Sequence, residues 1–600
     1  MIFLNFGVVE RFFNKNNKRI IDEEKLPAEW EETLLIQIFK GKGQRELLEN
    51  NRFIHTKQWK PKLFEALVVN KTKDKILKST SKFQIGGTAG HRPQEHIFVV
   101  KSVISLYKML GLSLLAEFVD ISKFFDKEVL RDALNSLYKA GVHGKWYRLW
   151  YFLNKNSKFR ILTGAGVTDA RDSDELIGQG SSGGALLSGY NLDEAVGGYF
   201  EESESEIGYS SIRLRPILYQ DDLLRLAGSV ISTQDGTNRI EGVMKSKQLL
   251  IHPDKSCVMP IASKANLKLI HEELKTNPIQ YDDFLVKPKV QEKWLGEQMC
   301  QGGNSDSVVA TILSRRGKTT AAIHEIKAIM DDLRMASVGG VQGGLDLWEL
   351  SVIPFLLNNA STWTDISDGA IQELDKLQEL FLRVLLEVPR STPKPLLYWD
   401  TGTMTMSNRI KVMKLNLIVH LKKLDEASLA KQVLDEQIRH DWPGLAKEAK
   451  EICQKWKMEN VTREEEEVKS KKVWKRLIQK KAKEEEEKDL KERMKKYQKL
   501  QDVIEEDYGR KSYFDEMTMK DSKLWFRVRS KMIKCKMNFS SDKKNSDTLW
   551  LCECGCVDTQ SHLMWCEQYA QLREGRALDS DQDILDYLKS ILLLREEKIV

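Results

Sequence analysis

Three carboxylates have the type and setting to do chemistry together. Asp221 and Asp222 follow Tyr219-Gln220 and lie between two apolar runs, Arg215-Pro216-Ile217-Leu218-Tyr219 and Leu223-Leu224-Arg225-Leu226-Ala227. Asp120 ends a separate apolar run, residues 114–119. An Asp-Asp pair is commonly a solvated turn, but such a turn does not need apolar strands on both sides. Carboxylates on rigid strands suit Mg2+ or Mn2+, hard cations that take a few protein oxygens and fill their remaining positions with water and phosphate. Two such cations about 4 Å apart activate an attacking hydroxyl and neutralise a leaving pyrophosphate. Nucleotidyl transfer is one reaction that needs such a pair of cations, and these residues are of the type to hold them.

The elements that must position these residues can be read from periodicity. Residues 114–119 read as a buried strand, and Leu130, Leu134, Leu137 and Tyr138 then recur at helical spacing. The two runs around Gln220-Asp221-Asp222 read as a hairpin with the acidic pair at its turn. A mixed α+β core is expected over about residues 80–300. Residues 1–80 read as mostly helical and polar, with basic patches at Lys40-Gly41-Lys42-Gly43 and at Lys57, Lys60 and Lys62 around Trp59. A Gly-rich loop from Gln84 to Arg92 precedes an amphipathic helix at about 95–109. Residues 304–395 read as all-helical, broken at Gly339-Gly340 and Gly343-Gly344.

Residues 463–502 differ from the rest. Glu464 to Glu467, Lys469 to Arg476 and Lys480 to Lys496 form charge blocks with few apolar positions. They read as a solvated helix or coiled-coil arm, with a nucleic-acid-contacting or nuclear-targeting face as the sharper alternative.

Composition bounds the rest. The chain has 600 residues, 41% hydrophobic and 30% charged, enough for about four structural units. Its 94 basic and 88 acidic side chains leave a net charge of +6, so any nucleic-acid partner must be met by local clustering. No run approaches the roughly 18 apolar residues that cross a bilayer, and no signal peptide is read. The chain is expected to be soluble, intracellular and without a membrane partner.

Four of the eight cysteines lie between Cys552 and Cys566, and the others are scattered, so no disulfide framework is expected. Cys552, Cys554, His562 and Cys566 make a Cys3His set suited to tetrahedral structural zinc. One residue separates Cys552 from Cys554 where zinc knuckles usually have two, and Cys556 is a spare candidate. Unmetallated thiols are the plainer alternative. Four protein ligands would leave no open position for catalysis.

Phe118-Val119-Asp120-Ile121-Ser122-Lys123-Phe124-Phe125-Asp126 resembles the first catalytic motif of the reverse transcriptases of non-LTR (LINE-like) retrotransposons. Gly178-Gln179-Gly180-Ser181-Ser182-Gly183-Gly184, Tyr219-Gln220-Asp221-Asp222, Pro253-Asp254-Lys255-Ser256 and Trp294-Leu295-Gly296 are similar to the motifs that follow, in the same order. Arg52-Phe53-Ile54 and the Gln84 to Arg92 loop look like the fingers motifs. The likeness covers about residues 27–400.

The resemblance implies an α+β right-hand polymerase of fingers, palm and thumb, with helical and zinc-knuckle-like C-terminal additions. It divides the chain into an N-terminal extension (1–26), fingers and palm (27–300), a helical thumb (301–395), a charged helical linker or arm (396–510) and a Cys/His module (511–600). It implies an RNA-directed DNA polymerase that takes template RNA, primer or target DNA and deoxynucleoside triphosphates, with a nuclear location. Asp120, Asp221 and Asp222 would hold Mg2+ or Mn2+, and Ile121 would offer its carbonyl. Phe125 would close the space a ribose 2′-hydroxyl needs. Gln179 and Gly180 would follow the nascent base pair and template, although Gly178 stands where proline is usual. Lys255 would lie by the leaving pyrophosphate as general acid or clamp. Arg92 would pair with the triphosphate. Trp294-Leu295-Gly296 would grip the primer, and Arg315, Arg316 and Lys318 would contact duplex phosphates from the thumb, a solvated basic face being the equal alternative. Asp126 is expected to cap the next helix.

Non-LTR elements usually carry an endonuclease, and none is read here, nor an RNase H-like region. A separate nuclease, a fragment, a degenerate copy or a host-captured polymerase would each account for that. The competing reading is a catalytically inactive or host-captured retroelement-derived nucleic-acid-binding protein. A telomerase-like or intron-maturase relative is a third, the former disfavoured by the lack of a large N-terminal RNA-binding region.

Overall fold

The computed structural model describes residues 16–597 apart from 31, 42, 156–157, 165, 173–179, 333–339, 463–469, 534, 536–550 and 575–576. The chain divides into two units, Met1–Ser307 with Leu421–Lys447, and Val308–His420 with Glu448–Val600.

The first unit begins with β1 (Glu32–Phe39), β2 (Asn51–Thr56), α1 (Trp59–Ser79), α2 (Pro93–Met109), β3 (Leu114–Val119), α3 (Leu130–Lys139), β4 (Lys158–Thr163) and α4 (Gly184–Gly197). It continues with β5 (Ile217–Tyr219), β6 (Asp222–Ala227), α5 (Val230–Ser246), β7 (Cys257–Ile261), β8 (Lys287–Pro288), β9 (Gln291–Trp294) and β10 (Glu297–Cys300). β1 pairs antiparallel with β2 and parallel with β4. Asn16–Glu23 and α1 are helical as expected for residues 1–80, but Glu32–Phe39 and Asn51–Thr56 between them are strands. The run Leu34-Leu35-Ile36-Gln37-Ile38-Phe39 favours a pleated, half-buried surface, and its parallel partner lies far along the chain.

The second sheet has the order β8–β7–β3–β6–β5. β3 is central and every one of its residues is buried, as a strand covered on both faces must be. β6 runs antiparallel to it with Leu223 opposite Val119 and Ala227 opposite Leu115. Leu115, Val119, Leu218, Leu223 and Val258 pack with Val230, Ile240 and Val243 of α5, each contributing about 2 kcal/mol by burial. One charged pair is built into this sheet. Glu117 faces Arg225 in register and takes its Nε at 2.8 Å, while Thr237 and Tyr281 donate to the other carboxylate oxygen. Losing one partner would strand the other charge at about 3–5 kcal/mol.

α2 was expected to be amphipathic, but Glu95 to Ile104 are all buried. Its Lys101 meets Glu297 at 2.7 Å, and Gln437 of the helix Leu429–Arg439 donates to Ser102 at 3.4 Å. Polar positions that a sequence pattern assigns to solvent are here satisfied internally.

The second unit comprises most of α6 (Asn304–Asp332), then α7 (Gly340–Leu347), α8 (Asp368–Leu386), α9 (Lys394–Thr401), α10 (Met406–Leu421), α11 (Lys471–Met494), α12 (Met519–Arg529), α13 (Gln560–Trp565) and α14 (Asp581–Glu597). Gly339 lies outside the described residues and Gly340 opens α7, whereas Gly343 and Gly344 lie within α7 and do not break it. A Cβ on Gly344 would stand 2.5 Å from Leu385 Cδ1, so the small residues permit close packing.

The charge blocks form α11, which is packed into the unit and is not a solvated arm. Trp474, Ile478, Ala482, Glu486, Leu490 and Met494 make a buried stripe at four-residue spacing. Glu486 is accommodated by Thr405 and Asn408, whose side chains donate to it at 2.9 and 2.7 Å. Glu464 to Glu467 and Lys469 lie outside the described residues. No described helix is long and apolar enough to cross a membrane.

Candidate active site

β5 and β6 are joined by a tight turn in which Gln220 has φ +60° and Asp221 follows, with Asp222 opening β6. Continuing the β6–β3 register one step from Leu223–Val119 puts Asp222 opposite Asp120. Strand register thus brings together three carboxylates from two distant stretches of sequence.

The Asp120 backbone is fixed on both sides. Its N–H donates to Ser256 Oγ at 3.1 Å and its carbonyl accepts from His252 N at 2.8 Å. Ser122 N donates to Leu250 O at 2.7 Å, and Ile121, with its side chain buried, bridges to Ile251. The segment carrying Lys255 is thereby tied to the strand carrying Asp120. Lys255 Nζ lies 3.2 Å from Asp120 Oδ2, with its side chain 59% exposed. An ion pair this open contributes under about 1 kcal/mol, so the lysine is free to exchange partners.

The carboxylates disturb one another. Asp222 is pushed up to about 6, first by burial and then by repulsion from Asp221 and Asp120, although the residue as a whole is exposed. Asp221 is also raised, burial being the largest cause, while Arg52 and Lys255 pull it back. Such a cluster gains when a cation neutralises it. The donor set, all hard carboxylate oxygen, fits Mg2+ or Mn2+.

Of the other expected residues, Gly180 has φ +108° and a Cβ there would approach His55 O to 2.8 Å, so only glycine allows this contact with β2. Gln179 lies outside the described residues. Phe125 is half-buried, its ring edge-on to Phe124 with centroids 5.4 Å apart. Arg92 is exposed at the N-terminus of α2, where its N–H donates to Glu95 at 3.0 Å. Trp294 is buried at the end of β9, and Leu295 and Gly296, at φ +46° and +83°, make the turn into β10.

Two expectations need correction. Arg315 is buried, donates to Leu356 O and Asn358 O at 2.9 and 2.8 Å and lies over Trp363, so it serves the fold and not a phosphate. Val129, and not Asp126, occupies the N-cap of α3; the Asp126 side chain is outside the described residues.

Sequence reasoning gave no role to Ser256, whose hydroxyl holds the Asp120 N–H, and missed Glu65. The latter is buried in α1, accepts from Ser181 Oγ and Ser182 N, and anchors the loop after Gly180. An acidic residue among Phe64, Val68 and Ile76 on the buried face of α1 was the available signal.

The second candidate centre is the Cys/His group. Cys552, Cys554, His562 and Cys566 present ligand atoms that all lie within 4.8 Å of one another. Cys552 and Cys566 sulfurs are 3.8 Å apart, Cys566 and Cys554 3.7 Å, and Cys554 Sγ is 3.2 Å from His562 Nε2. A tetrahedron with Zn–S of about 2.3 Å has edges of about 3.8 Å, whereas a disulfide needs about 2.05 Å. The spacing fits zinc. Cys556 is not in the group; its carbonyl accepts from Cys552 N at 2.8 Å and closes the turn in which Gly555 has φ +86°. Thr559 caps α13 by accepting from His562 N at 3.0 Å, which fixes the imidazole's position. The Cys554 thiol is lowered, first by the Cys556 backbone N–H, as a metal-binding thiol requires. Elsewhere among the described residues no other such group is found, and the three aspartates are spread more widely.

No family model and no curated protein matches the chain. Among solved structures it is similar to telomerases. Apo telomerase from Candida tropicalis truncated from its C-terminal domain aligns at 9% identity and TM-score 0.31, over 48% of this chain and 58% of that one. Apo telomerase from Candida tropicalis aligns at 9% and 0.34, over 71% and 68%. Telomerase from Candida albicans in complex with a TWJ fragment of telomeric RNA aligns at 9% and 0.33, over 78% and 68%. The chain spans just over half of the first of these. Likeness of this depth assigns no family.

Proposed function

We propose that this chain is an RNA-directed DNA polymerase of the non-LTR retrotransposon type. The observation that carries the reading is the strand register that sets Asp120 opposite Asp222 beside Asp221 in a mutually repelling cluster. Such an arrangement is poor for the fold alone and suited to holding cations. Asp120, Asp221 and Asp222 would hold two Mg2+ or Mn2+ ions; when bound these supply activation of the primer hydroxyl and neutralisation of the pyrophosphate. The chain's own residues do the rest. Lys255 leaves Asp120 to meet the departing pyrophosphate, and the Ile121 backbone and Arg92 orient the triphosphate. Phe125 excludes the ribose hydroxyl, and Gln179 and Gly180 follow the template. The C-terminal group would hold a structural zinc and present a small module to nucleic acid. A telomerase-like polymerase shares this chemistry, and the solved structures above do not choose between the two.

Primer extension tests the reading: RNA and DNA templates, Mg2+ or Mn2+, full chain beside Asp221→Asn. Template-directed product from the wild type is expected on RNA. A folded chain that binds template–primer and makes no product would favour the inactive nucleic-acid-binding protein.

A further inference from the structure

β5 is the edge of its sheet, so its outer backbone groups need partners from outside the ladder. Residues 83–86 supply them. Leu218 N donates to Phe83 O at 2.8 Å and Ile85 N to Leu218 O at 3.4 Å. His96 Nε2 lies 3.1 Å from both carbonyls, fully buried, and burial holds its pKa down to about 4, so the ring is neutral.

Gln84, in the middle of this segment, is 3% exposed. Its Nε2 donates to Gln220 O at 3.0 Å. Its Oε1 accepts from Gln220 N at 3.0 Å and from Gly86 N at 2.9 Å. One amide therefore grips both backbone polar groups of the residue just before Asp221. That residue holds φ +60°, a left-handed conformation that is strained for a non-glycine residue. The fit is close on the other side as well, since a Cβ on Gly86 would stand 2.2 Å from Gln220 N.

We infer that Gln84 is a positioning residue: its side-chain amide clamps Gln220 in the left-handed turn and thereby aims Asp221 and Asp222 at a shared cation site. The inference rests on the proposed metal-ligand reading. It differs from an ordinary core role, which would lower stability and leave cation affinity alone. Outer supports of metal ligands typically carry about ten- to 100-fold in affinity, and a misplacement of about 1 Å costs about 100-fold in rate.

The test uses the full chain, with Mn2+ alone as probe, its free concentration read by electron paramagnetic resonance, alongside thermal melting and primer extension. Asp221→Asn defines loss of the site. Gln84→Leu is expected to weaken Mn2+ binding about tenfold. It should lower kcat about 100-fold while leaving the deoxynucleotide KM within about twofold. Gln84→Glu, which keeps the two accepting bonds and loses the donor to Gln220 O, should fall between and serves if Gln84→Leu does not fold. Wild-type Mn2+ affinity and kcat in a folded Gln84 variant would overturn the clamp alone. Equal Mn2+ binding by wild type and Asp221→Asn would overturn the ligand reading and the clamp with it.

Discussion

The carboxylate cluster and the Cys/His group are built on opposite principles. Asp120 and Asp222 are brought together by sheet register across a hundred residues of chain, and their charges repel. Cys552, Cys554, His562 and Cys566 come from one short segment, folded by a turn and one capped helix. The first arrangement is paid for by the fold around it. The second is part of the fold, since Cys552 and Cys566 are buried in a small core with Leu563, Tyr587 and Leu588. A strained site signals function; a stapled one signals stability.

The sharpest way to break this contrast is to neutralise one site residue in each. Asp222→Asn should abolish nucleotide incorporation and raise the melting temperature. The sign follows from the shift: a folded pKa of about 6, above the usual 3.8, means stability complete below pH 3.8 and lost as pH rises through 6. The gain should therefore appear at pH 8 and vanish at pH 4, as calorimetry would reveal. A lower melting temperature at pH 8 would contradict the repulsion account.

The Cys/His group should behave the other way. Metal analysis of the full chain should give one zinc, and Cys554→Ser should remove it and open residues 551–597 to limited proteolysis. A metal-free wild type with the same proteolytic resistance would reject the staple.

A smaller effect is expected at Phe125, which is proposed to close the space a ribose 2′-hydroxyl needs. Phe125→Val should raise ribonucleotide incorporation relative to deoxynucleotide, measured by single-nucleotide addition, with little change in melting. Unchanged sugar selectivity would remove Phe125 from the site.

The smallest effect sharpens the comparison with a buried acid outside both centres. Glu128 is pushed up to about 7, chiefly by burial, where Ser188 and Asn191 donate to it. Its folded pKa exceeds 4.5, so its contribution is complete below pH 4.5 and falls away as pH rises through 7, by about 3 kcal/mol. Glu128→Gln should flatten that slope in urea titrations and leave catalysis unchanged in kcat. A slope identical to wild type would show the acid is not the source.

How much of this was legible depends on the range of the interactions. The strand ending on Asp120, the hairpin around Asp221 and the Cys/His group are local patterns of apolar and polar residues, and they read directly. β1 did not, because its parallel partner β4 lies about 120 residues on and a short apolar run favours neither helix nor strand by itself. The α11 stripe was hidden because one of its buried positions is Glu486, whose partners Thr405 and Asn408 are some eighty residues away. Arg315 read as a phosphate contact because a buried, carbonyl-satisfied guanidinium leaves no mark in sequence.

The central claim is that the three aspartates form one cation-dependent catalytic centre. Single-nucleotide extension of a primer on an RNA template, titrated with Mg2+ for wild type and Asp221→Asn at equal template–primer occupancy, tests it most directly. Mg2+-dependent incorporation by the wild type and none by Asp221→Asn is the predicted result. Equal incorporation by both would contradict the account.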